Sequence, residues 1–154
     1  MSRTFLLTLG LLLGLGALLA NGAATAGDPV FCANYANDAE KSVQLAKHLK
    51  CGFQGPRWIK EKSAHMAWCI LVDPNLAHSE SNARAAELKQ CTCTWYADHT
   101  MVQIAMNIAN KCGFSGLRWL ESKQAHYDWC FNMNPPFSAM DNEIDIRKKM
   151  LNGC

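Results

Sequence analysis

Eight cysteines, Cys32, Cys51, Cys69, Cys91, Cys93, Cys112, Cys130 and Cys154, fall into two sets of four with nearly the same spacing. Displacing the chain by 61 residues lays Cys32–Pro74 on Cys93–Pro135 without a gap, and sixteen positions in that window are identical. C-G-F-Q-G-P-R-W, Cys51 to Trp58, returns as C-G-F-S-G-L-R-W, Cys112 to Trp119, each followed at the same distance by H-x-x-W-C. A two-residue insertion after the prolines then aligns Arg84 with Arg147, Leu88 with Leu151 and Cys91 with Cys154. Self-similarity at one fixed period is the mark of a duplicated structural unit. The units are 32–91 and 93–154, joined by Thr92 alone. Four cysteines in each read as a disulfide framework, provided the chain reaches an oxidising compartment.

The other end of the chain supplies that compartment. M-S-R-T, with Arg3, precedes an apolar run from Phe5 to Ala20, and A-T-A at Ala24 to Ala26 places alanine at the −3 and −1 positions of a cleavage site. A charged start, an apolar centre and a small-residue exit are the order of a secretory signal peptide. The apolar centre is shorter than the roughly 20 residues of a spanning helix. The expectation is a leader over 1–26, a mature chain from near Gly27 without a membrane span, and a periplasmic or secreted location. Setting Arg3 aside leaves fourteen Lys and Arg against thirteen Asp and Glu. That balance offers neither a basic groove for nucleic-acid phosphates nor a polybasic patch for an anionic membrane.

Each unit reads as three helices, and sustained strand-type alternation is missing. The spacing predicts a first helix over Tyr35–Lys50, a second over Arg57–Leu71 and a third over Glu80–Gln90, with a counterpart of the third over Asp141–Leu151. Gly52 and Gly113 fit the left-handed residue that ends a helix. Gly55 and Pro56 fit the N-cap and first turn of the next. Trp58, Lys62, His65 and Cys69 would then share one continuous helical face, Lys62 keeping its charged end in water. Four cysteines allow three pairings per unit. An up-down-up hairpin favours Cys32–Cys69 with Cys51–Cys91, and Cys93–Cys130 with Cys112–Cys154. The fold class is thus all-α, two tandem disulfide-stapled units.

Candidate functional residues sit mostly inside the duplicated pattern. Arg57 and Arg118 have intrahelical acidic neighbours in Glu61 and Glu121. Alternatively they flank Trp58 and Trp119 and recognise an acidic or sugar ligand. Five tryptophans in about 128 mature residues are many. Trp58 and Trp119 would fill the small cores, while Trp68, Trp129 and Trp95 would be partly exposed, as suits sugar rings, peptides or another protein. Ligand-binding candidates are therefore Arg57, Trp68, Arg118 and Trp129. His65 and His126 are candidates for a metal or haem site, although one His per unit falls short of a zinc ligand set and a backbone hydrogen bond accounts for them. Cys91 and Cys93 with Met101, Met106, Met133 and Met140 would suit Cu(I) if the thiols were free. The duplication instead assigns each of these cysteines to its own unit. No cofactor is expected. G-x-S-x-G, P-loop and S-x-x-K signatures are missing, disulfides would consume the cysteine nucleophiles, and Asp128 beside His126 has only Ala67 in the first copy.

The pattern C…Y-A…C-G-F-x-G-x-R-W…H-x-x-W-C resembles a cysteine repeat of exported bacterial proteins, over residues 32–154. The resemblance implies export and repetition and brings no activity with it. The G-F-x-G string is also similar to one in tandem mannan-binding lectins, from which no residue is carried over, because here Arg57 or Arg118 precedes the Trp and the flanks read helical. The functional expectation is a non-enzymatic interaction or structural protein that meets a protein or envelope component. Carbohydrate or small-ligand binding through the Trp/Arg sites is the alternative, and copper or haem binding a second one.

Overall fold

Two Asp-Pro pairs set the frame. The Asp28 carboxylate accepts from the Val30 and Phe31 amides at 2.8 and 2.9 Å, and Pro29 follows at a position that needs no donor. Asp73 does the same for Asn75 at 2.8 Å, ahead of Pro74. The computed structural model describes residues 27–154, and the expected leader over 1–26 lies outside them. The described residues form helices α1 (Pro29–His48), α2 (Lys62–Leu71), α3 (Pro74–Ala109), α4 (Lys123–Met133) and α5 (Phe137–Asn152), and contain no strand. Among them no helix is long and apolar enough to cross a membrane.

The capping explains why α1 and α3 begin earlier than the apolar spacing predicts; α5 also begins earlier, at Phe137 directly after Pro136, without a side-chain cap. A larger departure is α3 itself. The expected third helix of the first unit and first helix of the second are one helix of 36 residues. No Gly or Pro interrupts the chain between Pro74 and Ala109, so nothing stops propagation through the seam. Thr92, expected as a linker, is buried within α3 and its hydroxyl donates to the Leu88 carbonyl at 2.7 Å.

The expected Arg57–Leu71 helix is broken in two. Pro56–Trp58 makes one 3-10 turn, Ile59 is extended, and α2 starts only at Lys62. Leu117–Trp119 and α4 repeat the break. Trp58 therefore does not share a helical face with His65 and Cys69. It is buried all the same, because Phe53 stacks on it at 4.3 Å between ring centroids, as Phe114 does on Trp119 at 5.1 Å. The helix stop also differs by two residues from the expected one. Lys50, at φ 56°, is the left-handed residue that ends α1, and Gly52, at φ 73°, is left-handed as expected but stands two residues further on. The Lys50 amide bonds the Lys47 carbonyl and that of Cys51 bonds Ala46, the two hydrogen bonds of a Schellman ending.

Gly55 and Gly116 explain why the string keeps its second glycine. Their φ/ψ of 92/−179° and 90/−174° lie in a region open essentially to glycine alone. An added Cβ would touch nothing within 4 Å at either site. Alanine at either position is thus expected to cost about 1–3 kcal/mol, through the backbone alone. Urea denaturation of each variant checks this, and a loss too small to resolve would mean that the loop relaxes at no cost.

Four disulfides tie the helices: Cys32–Cys69, Cys51–Cys91, Cys93–Cys130 and Cys112–Cys154, with Cα–Cα distances of 5.5, 5.8, 5.5 and 5.5 Å. These are the pairs that the up-down-up arrangement favours, two within each half. Each half carries two small apolar clusters, one beside each of its bonds. In the first half one gathers Tyr35 and Ala77 around Cys32–Cys69, and the other Val43, Ala46 and Trp58 near Cys51. The second half repeats this with Tyr96 and Met140, and with Ile104, Trp119 and Leu151. Cores this small need covalent ties.

Candidate functional site

Arg84 lies on α3 between Ala77 of one cluster and Leu88 of the other, and it is 2% exposed. Its Nε donates to the Arg57 carbonyl at 3.3 Å and its Nη2 to the Tyr35 hydroxyl at 3.0 Å. The guanidinium also stands 5.2 Å from the Tyr35 ring centre, within cation–π range. Arg147, 1% exposed on α5, repeats every contact: Nε to Arg118 O at 3.0 Å, Nη2 to Tyr96 Oη at 2.7 Å, and 5.3 Å to the Tyr96 ring. His65 Nε2 donates to the Ile59 carbonyl at 3.0 Å, and His126 Nε2 to Leu120 O at 2.9 Å. A carbonyl only accepts, so Nε2 carries the proton in both rings. The buried arginine and histidine thus pin the 3-10 turn and the extended residue after it onto the bundle.

That pinned loop forms one wall of a cleft. In the first half the cleft measures about 550 Å³ and is lined by Tyr35, Arg57, Trp58, His65, Trp68 and Glu80 among others. In the second it measures about 410 Å³, with Tyr96, Arg118, His126, Trp129, Glu143 and Arg147. All four ligand-binding candidates, and both histidines, line these two clefts. Trp68 is half-buried against Tyr35, with ring centres 5.5 Å apart. Trp129 packs on Tyr96 at 5.2 Å and leaves 40% of its surface open. Trp95 lies elsewhere, half-buried between His99 and Phe137.

The arginines are held by partners other than those expected. Arg57 forks onto Glu80, Nε to Oε1 at 2.6 Å and Nη2 to Oε2 at 3.0 Å, and its Nη1 reaches Glu87. Arg118 forks onto Glu143 at 2.9 and 3.1 Å. Glu61 and Glu121 do not hold them, because the helix that would bring them within reach is interrupted after each Trp. The Arg57 hydrogen bond holds the Glu80 carboxyl below the usual carboxylate range, and Arg118 does the same for Glu143; both guanidinium groups are pushed up in return. Glu80 and Glu143 escaped the sequence reading. Their signal was the offset already noted for Arg84 and Arg147, since each glutamate stands one helical turn before the aligned arginine.

Other candidates come apart. Cys91 and Cys93 enter different disulfides, so neither offers a thiolate to Cu(I). Met106 and Met133 are exposed, whereas Met140 is buried beside Cys130. Asp128 is exposed and accepts from Gln124 at 2.8 Å, and it does not line the cleft that His126 lines. Among the described residues no group of three or more His, Cys, Asp or Glu is arranged to hold a metal.

Burial pushes His126 below the usual histidine range; the Leu120 carbonyl opposes this and the Arg147 charge adds to it. A folded-state value below the unfolded one means that the unfolded chain binds more protons, so stability rises with pH across that window. Acidification from pH 7 through about 6.5, the unfolded value, should begin to destabilise the protein. The Glu80 and Glu143 pairs add their own loss only as pH falls below about 4.5. Thermal melts of the native chain and of His126→Gln check the assignment, since the variant should lose the upper part of the pH dependence and keep the lower. Comparison of the chain with family models, with curated proteins and with solved structures finds no match.

Proposed function

We propose that this is an exported, non-enzymatic binding protein that takes small ligands, carbohydrate among them, in its two related clefts. The observation that carries the reading is the recurrence of one cleft, with Tyr, Arg, His, Trp and Glu at equivalent places, in both halves. Packing alone does not require open volume beside a tryptophan and a charged fork at both sites. An aromatic face next to fixed donors suits a ring that bears polar groups. Two such sites on one rigid chain would also give avidity for a repeating ligand. Four disulfides fit an oxidising compartment. The test is NMR titration of the five indole N–H resonances with soluble envelope glycan fragments and neutral oligosaccharides. A ligand should move Trp68 and Trp129 together, and Trp68→Ala with Trp129→Ala should abolish its binding. If every ligand class leaves both resonances fixed, the clefts are not ligand sites.

A protein partner is a second reading, favoured by the outer face of α3. Val102, Met106 and Ile108 are 62%, 46% and 55% exposed there, with Ala105 and Ala109 beside them. The first half carries Lys41, Leu45, Lys47, Gln44 and His48 at the equivalent places. An apolar face present in only one copy is not explained by the fold that both copies share.

A further inference from the structure

Leu117 and Leu120 of the second cleft replace Pro56 and Ile59 of the first, and beside the arginine fork the two halves also differ by a carboxylate. In the first, the two oxygens of Glu87 are divided between Arg57 Nη1 and Trp58 Nε1, the latter at 2.8 Å. The equivalent residue in the second half is Met150, which packs against the Ile104, Trp119 and Leu151 cluster. Among the described residues, Arg118 Nη1 and Trp119 Nε1 therefore have no acceptor. The charge ledger shifts with it. In the first half Glu80 and Glu87 stand beside Arg57, with Arg84 buried behind them, whereas in the second Glu143 alone stands beside Arg118 and Arg147. A further observation points the same way. Arg147 lines the second cleft, is 1% exposed, and its Nη1 is buried without a hydrogen-bond partner. A buried cation with an idle donor is costly, and an anion placed nearby offsets that cost.

We propose that the second cleft takes a carboxylate carried on an apolar body, the carboxylate standing where the Glu87 side chain stands in the first half. The first half in effect holds its own ligand. Its planar pair of oxygens matches one guanidinium N–H and one indole N–H, so the geometry selects a carboxylate. The apolar body has a surface to lie on, since Leu117, Leu120 and Trp129 along the rim are 84%, 40% and 40% exposed. His126 lines the same cleft, and its burial disfavours the charged form. This inference rests on the ligand-binding reading and narrows it to one chemistry at one of the two sites.

The probe is phenylbutyrate, with phenylbutanol as its neutral counterpart, titrated into the exported, disulfide-bonded protein and followed at the indole N–H resonances. Phenylbutyrate should move Trp119 saturably while Trp58 stays fixed, and the alcohol should bind about tenfold more weakly or worse. Met150→Glu supplies the internal carboxylate and should remove the response. Glu87→Met should create a response at Trp58, which keeps the test open even if Met150→Glu folds poorly. Equal binding of the alcohol, or full affinity in a folded Met150→Glu variant, would overturn the proposal. So would a Trp119 resonance that phenylbutyrate leaves unmoved. Should phenylbutyrate fail while a neutral glycan still moves Trp68 and Trp129, the carboxylate assignment falls and the broader reading stands. Should neither bind, both fall.

Discussion

Replacing Cys32 and Cys69 together by alanine is expected to lower the unfolding free energy by about 4 kcal/mol from loop closure, and by more once lost packing is included. The four bonds close separations of 37, 40, 37 and 42 residues. Closure entropy grows only with the logarithm of loop length, so this contribution is nearly equal for all four. Burial separates them. Cys32 and Cys69 are fully buried, and Cys93 and Cys130 nearly so, whereas Cys51, Cys91 and Cys112 are half-buried and Cys154 is exposed. Removing either inner bond also takes sulfur out of a cluster that has few other members. The paired alanine variants should therefore rank with Cys32/Cys69 and Cys93/Cys130 as the most damaging, and Cys112/Cys154 as the least. Because α3 belongs to both halves, one cooperative transition should persist in each variant. Equal losses across all four pairs in urea denaturation would show that closure does everything and core packing nothing.

How much of this was legible in the sequence depends on whether the cause was local. The cysteine pairing was, because the duplication reduced eight cysteines to four, and a three-helix hairpin brings only certain helix ends together. Helix starts were legible in principle, since Asp28-Pro29 and Asp73-Pro74 are cap and first-turn signals, but apolar spacing begins several residues later and drew the boundaries inward. The continuity of α3 was hidden by the repeat itself, for a unit boundary in sequence does not have to be a break in backbone. The gap after Trp58 follows from tertiary contacts: His65 and Arg84 hold the Ile59 and Arg57 carbonyls away from helical partners. Spacing along one segment cannot report a hydrogen bond that arrives from another helix. The Arg57–Glu80 fork was missed for the same reason, as its partners are 23 residues apart.

Arg84→Met is expected to cost about 2–4 kcal/mol, because it leaves the Arg57 carbonyl and the Tyr35 hydroxyl without their donor inside the bundle. Methionine nearly matches the volume of the stem, so the loss reports polar contacts and not a cavity. Arg147→Met strips the same two kinds of partner, the Arg118 carbonyl and the Tyr96 hydroxyl. It should nonetheless cost about 1 kcal/mol less, since it also removes a buried N–H group that has no acceptor. The electrostatics point in the same direction. Glu80 and Glu87 balance the charges of Arg57 and Arg84, while Glu143 alone faces Arg118 and Arg147, so the second cation is buried at greater expense. Tyr35→Phe combined with Arg84→Met gives a double-mutant cycle that isolates the hydroxyl–guanidinium contact from the rest of the layer. Saturating phenylbutyrate should narrow the gap between Arg84→Met and Arg147→Met, because the bound carboxylate returns value to the Arg147 charge. Equal losses without any ligand would mean instead that the Arg147 Nη1 group already has an acceptor in solution.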